Sequence, residues 1–188
     1  MAEYPEHLAH EHRLFDGRAV TIRPIRPEDS ALVREFLNEL SGESKYMRFQ
    51  KWVHAPSEQL IHFLTDIDYD RHMALVCTAR HGDRDEIVGE ARYVAGPDGR
   101  TCELGIAIAD AWHKTGIAGI LMEALIHAAQ DRGLARMEGI VLSSNAEMLR
   151  FVRALGFETE PAPEDLTLMR ISKILQGPAG AESELTPV

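Results

Sequence analysis

The chain has 188 residues, 45% of them hydrophobic and 27% charged, and a formal net charge of −10. That length and balance fit one globular domain with a single core, and no run reaches the roughly 18 apolar residues of a membrane span. The acidity argues against nucleic acid as a partner; it is compatible with a cationic one and equally with a charge that only keeps the protein in solution. Residues 1–12, polar and histidine-rich, read as an irregular lead-in, too polar for a secretory leader. RAVTIRPI, 18–25, alternates apolar and polar residues and predicts a first strand. A helix follows, capped by Ser30 or Asp29, with Leu32, Val33, Phe36, Leu37 and Leu40 on one stripe. SGESKYMRFQKW, 41–52, reads as an irregular connection, and Ser57 caps a second helix carrying Leu60, Ile61, Phe63 and Leu64. HMALVCTAR, EIVGEARYVA and RTCELGIAIA, joined by HGDRD and GPDG, form an antiparallel meander. Its cysteines, Cys77 and Cys102, have neither metal nor disulfide spacing, so no metal and a reducing, cytoplasmic setting are expected. Then come a helix over 116–132 that ends at Gly133, a strand ARMEGIVL, a helix NAEMLRFVRALG closed by Gly156, and a last strand DLTLMRISKIL. The tail, 176–188, has the composition of disorder. This order predicts an α+β fold with a mixed sheet, in which the unit over 100–142 makes a parallel or splayed strand pair.

One stretch asks for an explanation. WHKTGIAGILMEALI, 112–126, opens a long apolar helix with Gly116, Ala118 and Gly119, although glycine costs about 1 kcal/mol relative to alanine inside a helix. A nucleoside-triphosphate loop needs Gly, four residues, then Gly-Lys-Ser/Thr, and here KTG has the letters out of order. A dinucleotide fingerprint needs G-x-G-x-x-G after the first strand of a parallel unit; GIAG is incomplete and follows a meander. Two readings stay open. Either the backbone N–H groups of 113–119 seat a pyrophosphate at a helix N-terminus, or the small residues let the helix pack closely on a strand.

Taken together, LGIAIADAWHKTGIAGILMEALIHAAQDRGL, VLSSNAEMLRFVRALGF and the meander resemble the GCN5-related N-acetyltransferases, the GNAT family. LFDGRAVTIRPIRPEDSALVREFLNELSGESKYMRF and IDYDRHMALV look like the N-terminal signature of one subset, the acetyltransferase domain of bacterial protein lysine acetyltransferases. The likeness runs from about Tyr4 to Leu175 and implies one GNAT domain over 1–175. Its sheet would be mostly antiparallel, with a splayed central pair, flanked by helices. It implies further that His113, Lys114, Thr115, Gly116, Ile117 and Ala118, followed by Gly119, hold the pyrophosphate of acetyl-CoA. The backbone of Ile106 and Ile108 would bond the pantetheine arm, and Asn145 would contact the coenzyme, cap its helix, or both. Alternation puts Leu104, Ile106 and Ile108 on one face of the strand and Glu103, Gly105, Ala107 and Ala109 on the other. That second, small face leaves room for a ligand or fits under a bulky neighbour.

The activity implied is transfer of an acetyl group to a primary amine, by direct attack on the thioester, with a protein lysine as acceptor. A small amine as acceptor, or an acyl-CoA-binding module with little catalysis, are the alternatives. A free lysine is neutral only about once in 2,500 molecules at pH 7, so a carboxylate base is useful. Glu103 is the first candidate and matches a glutamate of that subset. Glu90 is second, and either can instead be a plain ion-pairing residue beside Arg92 or Arg100. The oxyanion would meet a backbone N–H, that of Ile108. Val152 stands where many relatives place a tyrosine acid. Tyr46, Tyr93, Cys102 or water would serve, or no acid is needed, since a thiol of pKa near 8.5 leaves easily. His113 replaces the family's Gln/Arg, and Lys114 a glycine common in the subset. The larger relatives add nucleotide-handling or ligand-sensing modules, for which 188 residues leave no space.

Overall fold

The backbone of residues 3–49 and 55–175 is described by a computed structural model. Eight strands form one sheet in the order β1-β2-β3-β4-β5-β6-β8-β7. In chain order they are β1 (His10–Arg13), β2 (Ala19–Pro24), β3 (His72–His81), β4 (Arg84–Ala95), β5 (Thr101–Ile108), β6 (Arg136–Leu142), β7 (Glu158–Ala162) and β8 (Asp165–Ile174). The helices are α1 (Ser30–Glu39), α2 (Gly42–Phe49), α3 (Glu58–Thr65), α4 (Ile117–Asp131) and α5 (Ala146–Ala154). Every strand pair is antiparallel except β5 with β6.

The strong hydrophobic patterns fold as read. In α1, Val33, Phe36 and Leu37 are buried, and in α3 Ile61 and Leu64. The Ser57 side chain accepts from the Leu60 N–H and caps α3. Asp29, one of the two expected residues, occupies the N-cap position of α1, but its side chain makes no capping hydrogen bond. The buried Asp29 carboxylate instead takes both Arg23 guanidinium nitrogens at 2.7 Å and the Arg26 N–H at 2.8 Å. Charge pairing of a buried carboxylate outcompetes a helix cap that water can satisfy as well. The central helix α4 buries Met122, Ile126 and Ala129 besides Ile117, Leu121, Leu125 and Ala128. Its cover is therefore wider than one stripe, and it lies on β3 and β4. Gly133 and Gly156, at φ 73° and 81°, end α4 and α5 as expected.

Three elements depart from the sequence reading. His10–Arg13 is a strand rather than irregular, Glu158–Ala162 is an eighth strand, and 42–49 is a helix rather than a loose connection. Both added strands lie at sheet edges and are largely exposed, so they lack the apolar alternation that marks a half-buried strand. Helix α2 has little apolar content, but its Ser41 hydroxyl accepts from the Ser44 N–H, a start signal visible in the letters. The rest of that connection, 50–54, and the tail, 176–188, lie outside the described residues.

Candidate active site

The parallel pairing of β5 and β6 consists of three rungs, Thr101–Arg136, Cys102–Met137 and Glu103–Glu138. Beyond them the two strands part. The Ala109 N–H donates to the Val88 carbonyl on β4, so by alternation the main-chain groups of Ile108 and Ile106 face the gap. By the same alternation the last rung, Glu103 opposite Glu138, takes the Leu104 N–H. Ile106 then carries the first main-chain donor past the closed end.

The gap opens into a cleft of about 770 Å³. One end is walled by His113, Lys114, Gly116, Ala118 and Gly119 at the start of α4, and the facing side by Asn145, Met148 and Phe151 of α5. A 3₁₀ turn, Asp110–Trp112, delivers the chain to this loop. Within it the His113 N–H donates to the Asp110 carbonyl at 3.3 Å. The N–H groups of 114–119 have no intrachain partner among the described residues. The run of unpaired amides thus begins at Lys114, one residue later than the 113–119 expected for a pyrophosphate seat. No side chain caps α4, whose N-cap, Gly116, has φ 94°, a conformation that favours glycine. Lys114 has φ 62°, which accounts for the glycine that the resembling subset has there.

Gly119 separates the two readings of the small residues. A Cβ built there meets nothing within 4 Å among the described residues, so close packing of α4 on the described strands does not require the glycine. The space it leaves belongs to the cleft. A diphosphate fits this turn: it has unpaired amides, a helix dipole and room to approach.

The Ile117 side chain is buried in the core, and the Thr115 hydroxyl donates to the Trp112 carbonyl at 2.7 Å; neither residue lines the cleft, and each has only its unpaired amide to offer a ligand. The His113 ring is not aimed at the phosphate seat. Its Nε2 lies 3.1 Å from the Ile108 carbonyl, which can only accept, so the ring carries its proton there. Asn145 lines the cleft, and its Oδ1 accepts from the Met148 N–H at 3.1 Å. Helix capping is therefore observed, and the amide's N–H donors remain for a ligand.

Glu103 is exposed and is not among the residues that line the cleft; it stands on the last rung before the strands part, opposite exposed Val94 on β4 and Glu138 on β6. Glu90, on the same face, is buried and ion-paired to Arg92 Nε. Arg92 also reaches the Leu64 carbonyl at 3.1 Å and His72 Nε2 at 2.9 Å. A guanidinium only donates, so His72 is the neutral acceptor. Burial, and then Arg92, pull its pKa down to about 4. Val152 is buried. Among the described residues, neither Tyr46, Tyr93 nor Cys102 lines the cleft. Tyr93 and Cys102 are buried, and burial raises both pKa values, that of Cys102 to about 12.

Sequence reasoning missed the wall formed by α2: Glu43, Ser44, Met47 and Arg48. The Asp110 carboxylate holds this helix by accepting from the Ser41 N–H (3.0 Å), the Ser41 hydroxyl (2.9 Å) and the Ser44 hydroxyl (2.8 Å). Arg48 lies over Gly105, so the small face of β5 is there packed under a bulky neighbour: a Cβ on Gly105 would meet the guanidinium at 2.5 Å. Burial lowers the Arg48 pKa, Glu90 opposes that shift, Arg92 adds to it and Glu103 opposes it.

Similarity to known proteins agrees with this geometry. The family model for the acetyltransferase (GNAT) domain matches residues 19–158. Acetyltransferase PA5475 of Pseudomonas aeruginosa is 36% identical over 154 residues, 82% of this chain and 83% of that protein. Acetyltransferase Pat of Mycolicibacterium smegmatis is 33% identical over 144 residues, 74% of this chain but 41% of that longer protein. Among solved structures, the GNAT domain of S. lividans PAT has a TM-score of 0.83 at 26% identity, covering 92% of this chain and 100% of that one. Parted strands beside a turn of unpaired amides, and a family match over most of the length, have one reading: the chain belongs to the GNAT acetyltransferases, acyltransferases whose co-substrate is acetyl-CoA.

Proposed function

We propose that the acceptor is a lysine side chain of a protein and that Glu103 receives its proton. The observation that carries this reading is that this sheet face, covered at Gly105 by Arg48 and buried at Glu90 and Arg92, is open at Glu103 and across the strands beyond it. The row across the sheet from Glu103 runs through half-buried Glu138 and Ser172 to exposed Glu158. Small-molecule sites enclose most of their ligand's surface. An exposed rim suits an acceptor that presents one side chain from a large body.

The chemistry follows from the cleft. The N–H groups of 114–119 hold the diphosphate, and the main chain of Ile106 and Ile108 aligns the pantetheine arm. The thioester oxygen lies at the closed end, so the Ile106 N–H, rather than that of Ile108, meets the developing oxyanion. The neutral amine attacks the thioester carbon, forming the C–N bond, and its proton passes to Glu103 directly or through water. Collapse breaks the C–S bond and expels the coenzyme A thiolate. With Val152 buried, protonation of that thiolate is left to water; its pKa near 8.5 makes it an adequate leaving group.

Glu103→Gln is expected to keep acetyl-CoA affinity in calorimetry and to lose at least about 10²-fold in turnover. Unchanged turnover removes Glu103 from the reaction. The acceptor is tested by coenzyme A thiol release with lysine peptides and folded proteins set against spermidine, free amino acids and an aminoglycoside. Faster turnover on the small amines overturns the lysine reading. Binding without turnover on any acceptor makes the chain an acyl-CoA-binding module.

A further inference from the structure

The closed end of the cleft is shut on both sides of the sheet. On the side of α4, a Cβ at Gly139 would meet Leu104 Cγ at 3.3 Å and Ile171 at 3.4 and 3.5 Å, so Leu104 and Ile171 pack over the backbone of β6. On the opposite side the Arg48 guanidinium lies flat on Gly105: a Cβ there would meet Nη2, Cζ and Nη1 at 2.5, 2.6 and 2.9 Å. Ahead, the rung between Glu103 and Glu138 closes the gap. With the thioester oxygen at the Ile106 N–H, the acyl carbons occupy the space bounded by Leu104, Gly105 and Arg48.

We propose that Arg48 is the specificity residue that limits the acyl chain to acetyl. Its side chain fills the volume into which a third or fourth acyl carbon would extend, and Gly105 is glycine because the guanidinium rests on it. The helix carrying Arg48 is fastened at its start by the three hydrogen bonds to Asp110, so the stop is held rather than loose. Its charge adds to its bulk. A guanidinium set near Glu90, Arg92 and Glu103 is a poor neighbour for extra methylene groups. The proposal rests on the acyl-CoA cleft and is independent of the acceptor and of Glu103.

The test therefore uses binding alone. Dissociation constants of acetyl-, propionyl- and butyryl-CoA are measured by calorimetry for the unaltered chain, Arg48→Ala and Arg48→Met. A packed pocket discriminates about 10–200-fold per methylene. Butyryl-CoA should therefore bind the unaltered chain at least about 10-fold more weakly than acetyl-CoA. Arg48→Ala should bring the two within about 3-fold of each other. Arg48→Met, which keeps a long chain over Gly105 without the charge, should retain most of the preference. Equal binding of both thioesters by the unaltered chain overturns the proposal, as does an undiminished preference in Arg48→Ala. A loss in Arg48→Met equal to that in Arg48→Ala overturns it too, because charge rather than volume would then set the limit. Should Arg48→Ala fail to fold, Arg48→Val is read in the same way.

Discussion

Gly119 stands in the first turn of α4 with open space where a side chain would begin. Helix propensity alone favours alanine there by about 1 kcal/mol, so the glycine is retained at a cost to the free protein. Gly119→Ala is expected to raise the melting temperature without ligand and to weaken acetyl-CoA binding. Thermal unfolding and calorimetry on the same sample check both halves, and a stabilised variant with unchanged affinity would move the diphosphate away from this turn. Asp29 shows the opposite economy. It is 5% exposed and binds Arg23 through two 2.7 Å contacts. Removing one partner of a buried ion pair strands the other, so Asp29→Ala should cost about 3–5 kcal/mol in denaturant unfolding. His72 adds a pH dependence. Its folded pKa of about 4 lies below the unfolded value of about 6.5. Between these values the unfolded chain binds a proton that the folded chain refuses, so stability falls as pH drops from about 6.5 to about 4. His72→Gln keeps an acceptor for Arg92 and removes the titration. Melting temperatures across that window should then flatten.

At the scale of elements, α2 decides how the cleft is bounded. Its start is tied to the turn that leads into the loop at the start of α4, with Asp110 as the tie and Ser41 and Ser44 as donors. The Asp110 pKa is held below the usual carboxylate range by those three hydrogen bonds and by the nearby His113, against the opposing effect of burial. Asp110→Ala should release the helix: amide hydrogen exchange over 42–49 speeds up, while β3 and β4 keep their protection. An unchanged exchange rate in α2 would show that its packing, not the tie, holds it. The edge strands β1 and β7 belong to the same scale. Each is placed by pairing with one neighbour, and Pro161 sits at the irregularity in β7, where a missing N–H costs no ladder bond.

For the molecule as a whole, the site exists because one parallel pair interrupts an antiparallel sheet. After three rungs β5 and β6 diverge, and the groups that would have completed the ladder become the wall of a cleft. The unpaired start of α4 closes one end of that cleft, and Arg48 and Leu104 close the other. Two of the three sides come from segments close in sequence, 103–119 and 139–151. The third, α2, comes from some 60 residues earlier in the chain.

Local chemistry alone determined much of this. Apolar patterning marked β2, the meander, β6, β8 and the helices α1, α3, α4 and α5: burying one face leaves a repeat of two in β2 and β6 and of nearly four in the helices, while β3 and β4, buried on both faces, leave continuous apolar runs. The glycines at the start of α4 and the letters around them marked the family and the turn proposed to seat the coenzyme, because close approach to a backbone favours small residues at the points of contact. Tertiary structure decided what periodicity does not encode. It made strands of exposed edges, gave the Asp29 side chain to Arg23 rather than to its helix, and buried Glu90 against Arg92 while leaving Glu103 exposed. It also set Arg48 over Gly105. These are contacts between residues far apart in sequence, and which charge is buried with which depends on how the layers meet.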